Sequence, residues 1–154
     1  MITGITNKIQ APGIPGGLPM KGWWKMTREE IKNKMESYIH EKKGVTFIEL
    51  ERIMTDAGFN WEGQMGFGVL EKNLIYWQGW NQDAIDLFNE LTQEKAVETD
   101  TTAPLTYMID GRVLTIPQAT RYQKYKKPHW VPIILNPKKG GKKWKRTLKK
   151  YTIN

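Results

Sequence analysis

Apolar positions recur at helical spacing in three stretches of the chain. In the first, Ile31, Met35, Tyr38 and Ile39 are separated by polar positions such as Lys32, Lys34, Glu36 and Glu41. That spacing predicts an amphipathic helix over Thr27–Lys43. Thr27 and Glu30 supply a capping box for its first amides, and Gly44 ends it. A second box, Thr46 with Glu49, opens a helix whose inner face is Phe47, Leu50, Ile53, Met54 and Ala57, with Gly58 as its C-cap. In the third stretch Asn81 is the N-cap, Asp83 and Asp86 complement the helix dipole, and Ala84, Ile85, Phe88 and Leu91 line the inner face to Glu94.

Between and after these helices the period changes. Residues 59–73 hold several glycines and no sustained pattern, so a short helix near Met65–Lys72 and a structured loop both stay open. Leu74–Trp77 is an apolar, aromatic run that predicts a short buried strand. Ala96–Asp100 alternates weakly, TTAP turns, and Leu105–Ile109 reads as a further strand. Asp110-Gly111 is a hairpin signal, with Val113–Ile116 returning from it. The run HWVPIIL fits an edge strand, because Pro132 cannot donate a ladder hydrogen bond. The first 22 residues, rich in Gly and Pro, read as an extended arm.

Helix, helix, strand, helix and a strand–turn–strand wing over Ala96–Ile109 is an order that resembles the winged helix-turn-helix domain. The resemblance covers about 85 residues and rests on element order rather than on a diagnostic motif. It implies an α+β fold, with a winged-helix-like three-helix core, a small antiparallel sheet and a basic C-terminal extension. The corresponding division is an arm (1–22), a winged-helix-like domain (23–116) and the extension (117–154). One departure is the long connection between the second and third helices, where a simple helix-turn-helix has three or four residues. The family's usual reader is the third helix in the major groove. Here that helix carries Asp83, Asp86, Glu90 and Glu94 and no base. Phosphates on both groove walls would repel it.

Charge locates a different surface. Residues 1–110 carry 11 Lys or Arg against 16 Asp or Glu, whereas residues 111–154 carry 13 Lys or Arg and no acid. An acidic body joined to a purely basic segment points to a polyanionic partner, since a surface built only for solubility mixes both signs. Two basic–aromatic clusters carry the charge. One is residues 121–127, with Arg121, Lys124, Lys126 and Lys127. The other holds Lys138, Lys139, Lys142, Lys143, Trp144, Lys145, Arg146, Lys149 and Lys150. Cations neutralise phosphates and aromatic rings stack on exposed bases, which makes these thirteen residues the candidate nucleic-acid contacts. Trp144, Leu148 and Tyr151 also form a helical stripe that suits docking on the protein's own core, on a partner helix or at a membrane surface.

Other chemistry finds little purchase. The absence of cysteine removes disulfides, thiolate metal sites and thiol nucleophiles and fits a reducing cytosol. His40 and His129 lie in unrelated contexts and read as structural, and Ser37, the only serine, sits inside a helix. Gly63–Gly68 lacks the Lys-Ser/Thr ending of a phosphate loop and reads as turn-making. Of the seven tryptophans, Trp23, Trp24, Trp61, Trp77 and Trp80 flank the helices, where they would fill the core or clamp the arm. No apolar run is long enough to span a membrane.

The sequence thus points to a cytoplasmic, non-enzymatic DNA-binding regulator or replication accessory factor, with no cofactor and no metal, and with DNA ahead of RNA as partner. Its Cys-free, Lys-rich character suits a phage or mobile-element product. An adaptor that uses the acidic face for a protein partner or a homodimer is the alternative. A nuclease with Mg²⁺ at acid pairs such as Glu98 and Asp100 is the third reading.

Overall fold

A computed structural model describes residues 26–139. Helix α1 spans Arg28–Lys42 and α2 spans Phe47–Asp56, each opened by the expected capping box. Strand β1 (Glu62–Val69) passes through a 3-10 turn at Leu70–Lys72 into β2 (Leu74–Trp80). Helix α3 (Gln82–Glu94) is capped by Asn81, whose side chain accepts from the Ala84 amide. Strand β3 (Val97–Thr101), helix α4 (Pro104–Asp110) and strands β4 (His129–Trp130) and β5 (Ile133–Pro137) complete a mixed α+β architecture.

The strands form two small sheets. β2 pairs antiparallel with β1 and parallel with β4, while β3 pairs antiparallel with β5. Val45 extends the second sheet by an antiparallel bridge to Leu135. Residues 129–137, assigned from sequence to the extension, therefore give one strand to each sheet. Pro132 lies between the two strands, where its missing N–H interrupts no ladder.

Residues 59–73 are mainly a strand, and of the expected short helix only the 3-10 turn at Leu70–Lys72 forms. β1 is a strand with several register irregularities against β2. Its glycines permit close approach: a Cβ on Gly68 would lie 2.3 Å from the Leu74 carbonyl oxygen, and one on Gly63 would lie 2.7 Å from the Asn81 backbone. Gly63–Gly68 is thus part of a strand, not a turn.

The wing expected over Ala96–Ile109 is not a hairpin. Leu105–Ile109 lies in helix α4, with Pro104 in its first turn and Gly111 as a left-handed C-cap at φ 107°. Both residues suit those positions, since proline loses no intrahelical bond there and glycine carries no Cβ penalty. Asp110-Gly111 accordingly ends a helix. Val113–Ile116 forms no strand, and β3 finds its partner in β5, with Val97 opposite Pro137 and Thr101 opposite Ile133.

The core is strongly aromatic. Phe47 contacts Phe67, Trp80 and Phe88 edge-on at centroid distances of 5.1–5.5 Å. Trp77 packs on Tyr107 and Trp130. Of the tryptophans expected to build the core, Trp77 and Trp80 are buried, Trp61 packs half-buried against it, and Trp23 and Trp24 lie outside the described residues. The Tyr107 hydroxyl donates to the Ile133 carbonyl at 2.6 Å and accepts from the Phe47 amide, so one buried side chain joins α4, β5 and the start of α2.

A single carboxylate organises the polar part of this core. Glu51, with a side chain only 5% exposed, accepts at Oε2 from the Trp77 indole (2.9 Å), the Trp80 indole (2.8 Å) and Arg112 (2.6 Å). The Arg112 guanidinium lies 5.1 Å from the centre of the Trp77 ring. Burial without such partners would be costly, and this arrangement also fixes the chain that follows α4.

Candidate nucleic-acid interface

Loop 117–128 carries the first basic cluster, and hydrogen bonds fix its path. The Trp130 amide donates to the Pro117 carbonyl and the Ala119 amide to the Trp130 carbonyl, both at 2.8 Å. At the far end the Tyr125 amide donates to the Lys72 carbonyl, and Asn73 Nδ2 donates to the Tyr125 carbonyl. Tyr125 is the hub of the loop. Its hydroxyl accepts from the Thr120 and Arg121 amides at 3.1 and 3.2 Å, and its ring stacks on His129 with centroids 3.9 Å apart.

Arg121, Lys124, Lys126 and Lys127 are all exposed on this frame, and none pairs with a carboxylate among the described residues. A further cation joins them. Lys72 places its ammonium 5.4 Å from the centre of the Tyr122 ring. Sequence reasoning missed Lys72, because only the contact between its turn and Tyr125 brings it to the loop. An open cleft of about 470 Å³ adjoins the cluster, with Arg121 and Tyr122 on its wall.

The first two residues of the second cluster lie elsewhere on the fold. Strand β5 runs five residues from the Pro132 end, near this cleft, to Pro137. At about 3.3 Å per residue it separates the two ends by roughly 17 Å. Lys138 follows at the far end, its amide donating to the Ala96 carbonyl, and Lys139 is exposed beside it. Lys138 and Lys139 are therefore not part of the Arg121–Lys127 face. Lys142, Lys143, Trp144, Lys145, Arg146, Lys149 and Lys150 lie outside the described residues, as does the Trp144–Leu148–Tyr151 stripe.

The acidic third helix has other neighbours. Arg28 Nη2 meets Glu90 at 2.8 Å, and Lys32 Nζ meets Glu90 at 3.0 Å and Glu94 at 2.8 Å. Lys95, just past α3, pairs with Glu29 of α1. The Lys32 side chain is only 6% exposed, and its bonds to Glu94 and Glu90 hold its pKa well above the ordinary lysine value against the opposing effect of burial. Arg28, aided by Lys32, holds the Glu90 carboxyl below its usual range. Two of the four carboxylates thus fasten α3 to α1, while Asp83 and Asp86 remain exposed.

The remaining chemical candidates have ordinary contacts. His40 Nε2 lies 2.8 Å from the Ala96 carbonyl oxygen and His129 Nδ1 lies 2.8 Å from that of Lys127. Glu98 is buried, and Asp100 accepts from Asn136. Among the described residues no three His, Asp or Glu side chains are grouped to hold a metal ion, and no helix is long and apolar enough to cross a membrane. Comparison with family profiles, curated proteins and solved structures returns no match.

Proposed function

We propose that the protein binds nucleic acid, DNA before RNA, through phosphate contacts made by Arg121, Lys124, Lys126 and Lys127, with Lys138–Lys150 as a second basic segment. The observation that carries this reading is a cluster of unpaired cations on one loop. Arg28, Lys32, Lys42, Lys95 and Arg112 each meet a carboxylate. Lys34, Lys43 and Arg52 do not but lie apart, whereas Arg121, Lys124, Lys126 and Lys127 are exposed within seven residues and meet none among the described residues. Unpaired, exposed cations on a hydrogen-bonded loop keep their charge available for phosphates. In this reading α1–α3 are the scaffold, and α3 does not read bases because Glu90 and Glu94 tie it to α1. A cytoplasmic DNA-binding regulator or replication accessory factor fits such a binder.

The test is a salt titration of affinity for duplex and single-stranded DNA. Log Kd should rise steeply with log salt, and removing residues 138–154 should make the slope shallower, by about 0.9 per lost contact on duplex and about 0.7 on a single strand. No binding at low salt rejects the proposal.

A protein-contact reading, distinct from an adaptor on the acidic face, draws on the exposed apolar side of α4. Leu105, Met108 and Ile109 lie at i, i+3 and i+4 on the outer side of α4, and Ile109 is 75% exposed. Such a stripe is the usual form of a helix-mediated protein contact. Pull-down by the full chain that is lost on Ile109→Glu, with DNA binding unchanged, would favour it.

A further inference from the structure

The cleft beside the basic loop is rich in hydrogen-bond donors and lined by no acid. Val131 and Pro132 are buried at its floor. The end of β3 brings Thr101 and Thr102 to it, and the loop brings Gln118, Thr120 and Arg121. Backbone bonds seat both pieces on one short stretch of chain. The Thr102 amide donates to the Pro132 carbonyl at 2.9 Å, and the Ala119 amide donates to the Trp130 carbonyl at 2.8 Å. Tyr125 holds the amides of Thr120 and Arg121. The Thr102 and Thr106 hydroxyls share one bond at 2.9 Å. The Thr101 and Thr120 hydroxyls, the Gln118 side-chain amide and the Arg121 guanidinium make no hydrogen bond among the described residues. Asp100, next to Thr101, accepts from Asn136 on the other face of its strand.

Hydroxyls, an amide and a guanidinium in an acid-free cleft suit an oxyanion with several acceptor atoms. A phosphate monoester presents three such oxygens and a charge of about −1.5 to −2 at neutral pH. A phosphodiester inside a strand has fewer free oxygens and a single charge, and its chain must leave the cleft in two directions. A strand end enters a concave site without that demand. The volume of about 470 Å³ leaves room for a terminal sugar over the apolar floor, within the range of about 300–1,000 Å³ typical of small-ligand pockets. Lys124, Lys126 and Lys127 follow Arg121 on the loop and offer cations to the phosphates next along the strand.

We propose that the cleft lined by Thr101, Thr120 and Arg121 binds the terminal phosphate of a nucleic-acid strand, so that the protein holds phosphorylated ends more tightly than strand interiors. This rests on the nucleic-acid reading above and specifies its ligand. Free phosphate shares the same chemistry, and only the strand also uses Lys124, Lys126 and Lys127.

Fluorescence anisotropy of the full chain tests it, with an internally labelled oligothymidylate that carries a 5′-phosphate, a 3′-phosphate or hydroxyls at both ends, and with inorganic phosphate as competitor. At least one phosphorylated strand should bind about tenfold more tightly than the hydroxyl-ended one, the gain expected of one hydrogen bond to a charged group. Arg121→Lys keeps the charge but loses the planar fork, so it should cut that preference to about twofold or less. Thr101→Val with Thr120→Val should narrow the preference while hardly changing the binding of the hydroxyl-ended strand. Replacing Lys124, Lys126 and Lys127 by Ala should weaken all three strands and keep the preference. Inorganic phosphate should compete only weakly. Equal affinity for phosphorylated and hydroxyl-ended strands overturns the proposal, as does a preference that survives Arg121→Lys or is lost with the three lysines. Inorganic phosphate that competes as well as the phosphorylated strand overturns it too. In those cases binding itself survives and only the end site fails. If no strand binds, the nucleic-acid reading falls as well.

Discussion

Two faces of this protein use positive charge in opposite ways. Between α1 and α3, Arg28, Lys32 and Lys95 meet Glu90, Glu94 and Glu29, so charge is spent on joining helices. On the loop after Pro117 the cations are held by a frame of backbone bonds and one tyrosine, and they meet no carboxylate among the described residues. The same residue types thus do structural work on one face and stay available on the other. Counting Lys and Arg along the chain does not distinguish the two, whereas their partners do.

The comparison breaks first where a charge is buried. Glu51→Ala leaves the Trp77 and Trp80 indoles without their acceptor and Arg112 without its carboxylate. The expected loss is about 3–5 kcal/mol, typical of removing one partner from a buried charged network, measured by urea denaturation. A loss below about 1 kcal/mol would show that the side chain is dispensable to the core.

Glu90→Gln acts at the α1–α3 contact, where it removes one of the two carboxylates that meet Lys32 within 3.0 Å and the partner of Arg28. It should cost about 1–3 kcal/mol at neutral pH. Its pH signature has a definite sign. Glu90 has a lowered folded pKa, so its contribution is present above the unfolded value of about 4.3 and is lost as pH falls through the folded one. Lys32 has a raised folded pKa, so its contribution is present below about 10.4 and fades only as pH rises beyond it. Glu90→Gln should therefore flatten the acid limb of the stability curve. An acid limb identical to wild type would remove Glu90 from the account.

What the sequence disclosed follows the range of the interactions. Both capping boxes and the Asn81 cap are contacts of three residues' separation, and all three form as read. The pairing of β3 with β5 brings Val97 to Pro137 and has no local mark. Leu105–Ile109 was misread because a short apolar run fits either period. Pro104 and Gly111 were the deciding cues, since each suits a helix end. At the candidate site the lysines were visible as composition. Their division was not. Strand β5 leads away from the Arg121–Lys127 loop and delivers Lys138 to the opposite end of the sheet, a consequence of topology alone.

A smaller effect is expected in the loop frame. Tyr125→Phe keeps the ring against His129 but removes the acceptor shared by the Thr120 and Arg121 amides. These amides are exposed and water can replace the hydroxyl, so the cost to global stability should be about 0.5–1 kcal/mol. Amide hydrogen exchange at Thr120 and Arg121 should quicken while the core amides stay protected. Unchanged exchange there would mean that the hydroxyl does not hold the loop.

The smallest stability change belongs to the cations themselves. Replacing Lys124, Lys126 and Lys127 together by Ala removes no ion pair among the described residues. Thermal and urea midpoints should shift by no more than about 0.5 kcal/mol equivalent. The salt dependence of DNA affinity should meanwhile fall by up to about 2–3 units of slope, if all three meet phosphates. Glu90→Gln should do the reverse, with a clear loss of stability and little change in slope. Crossing the two variants makes the contrast quantitative, because sites without shared partners should add within about 0.5 kcal/mol. If the lysine variant unfolds easily instead, its charges stabilise the fold, and the division between a paired body and an available loop is wrong.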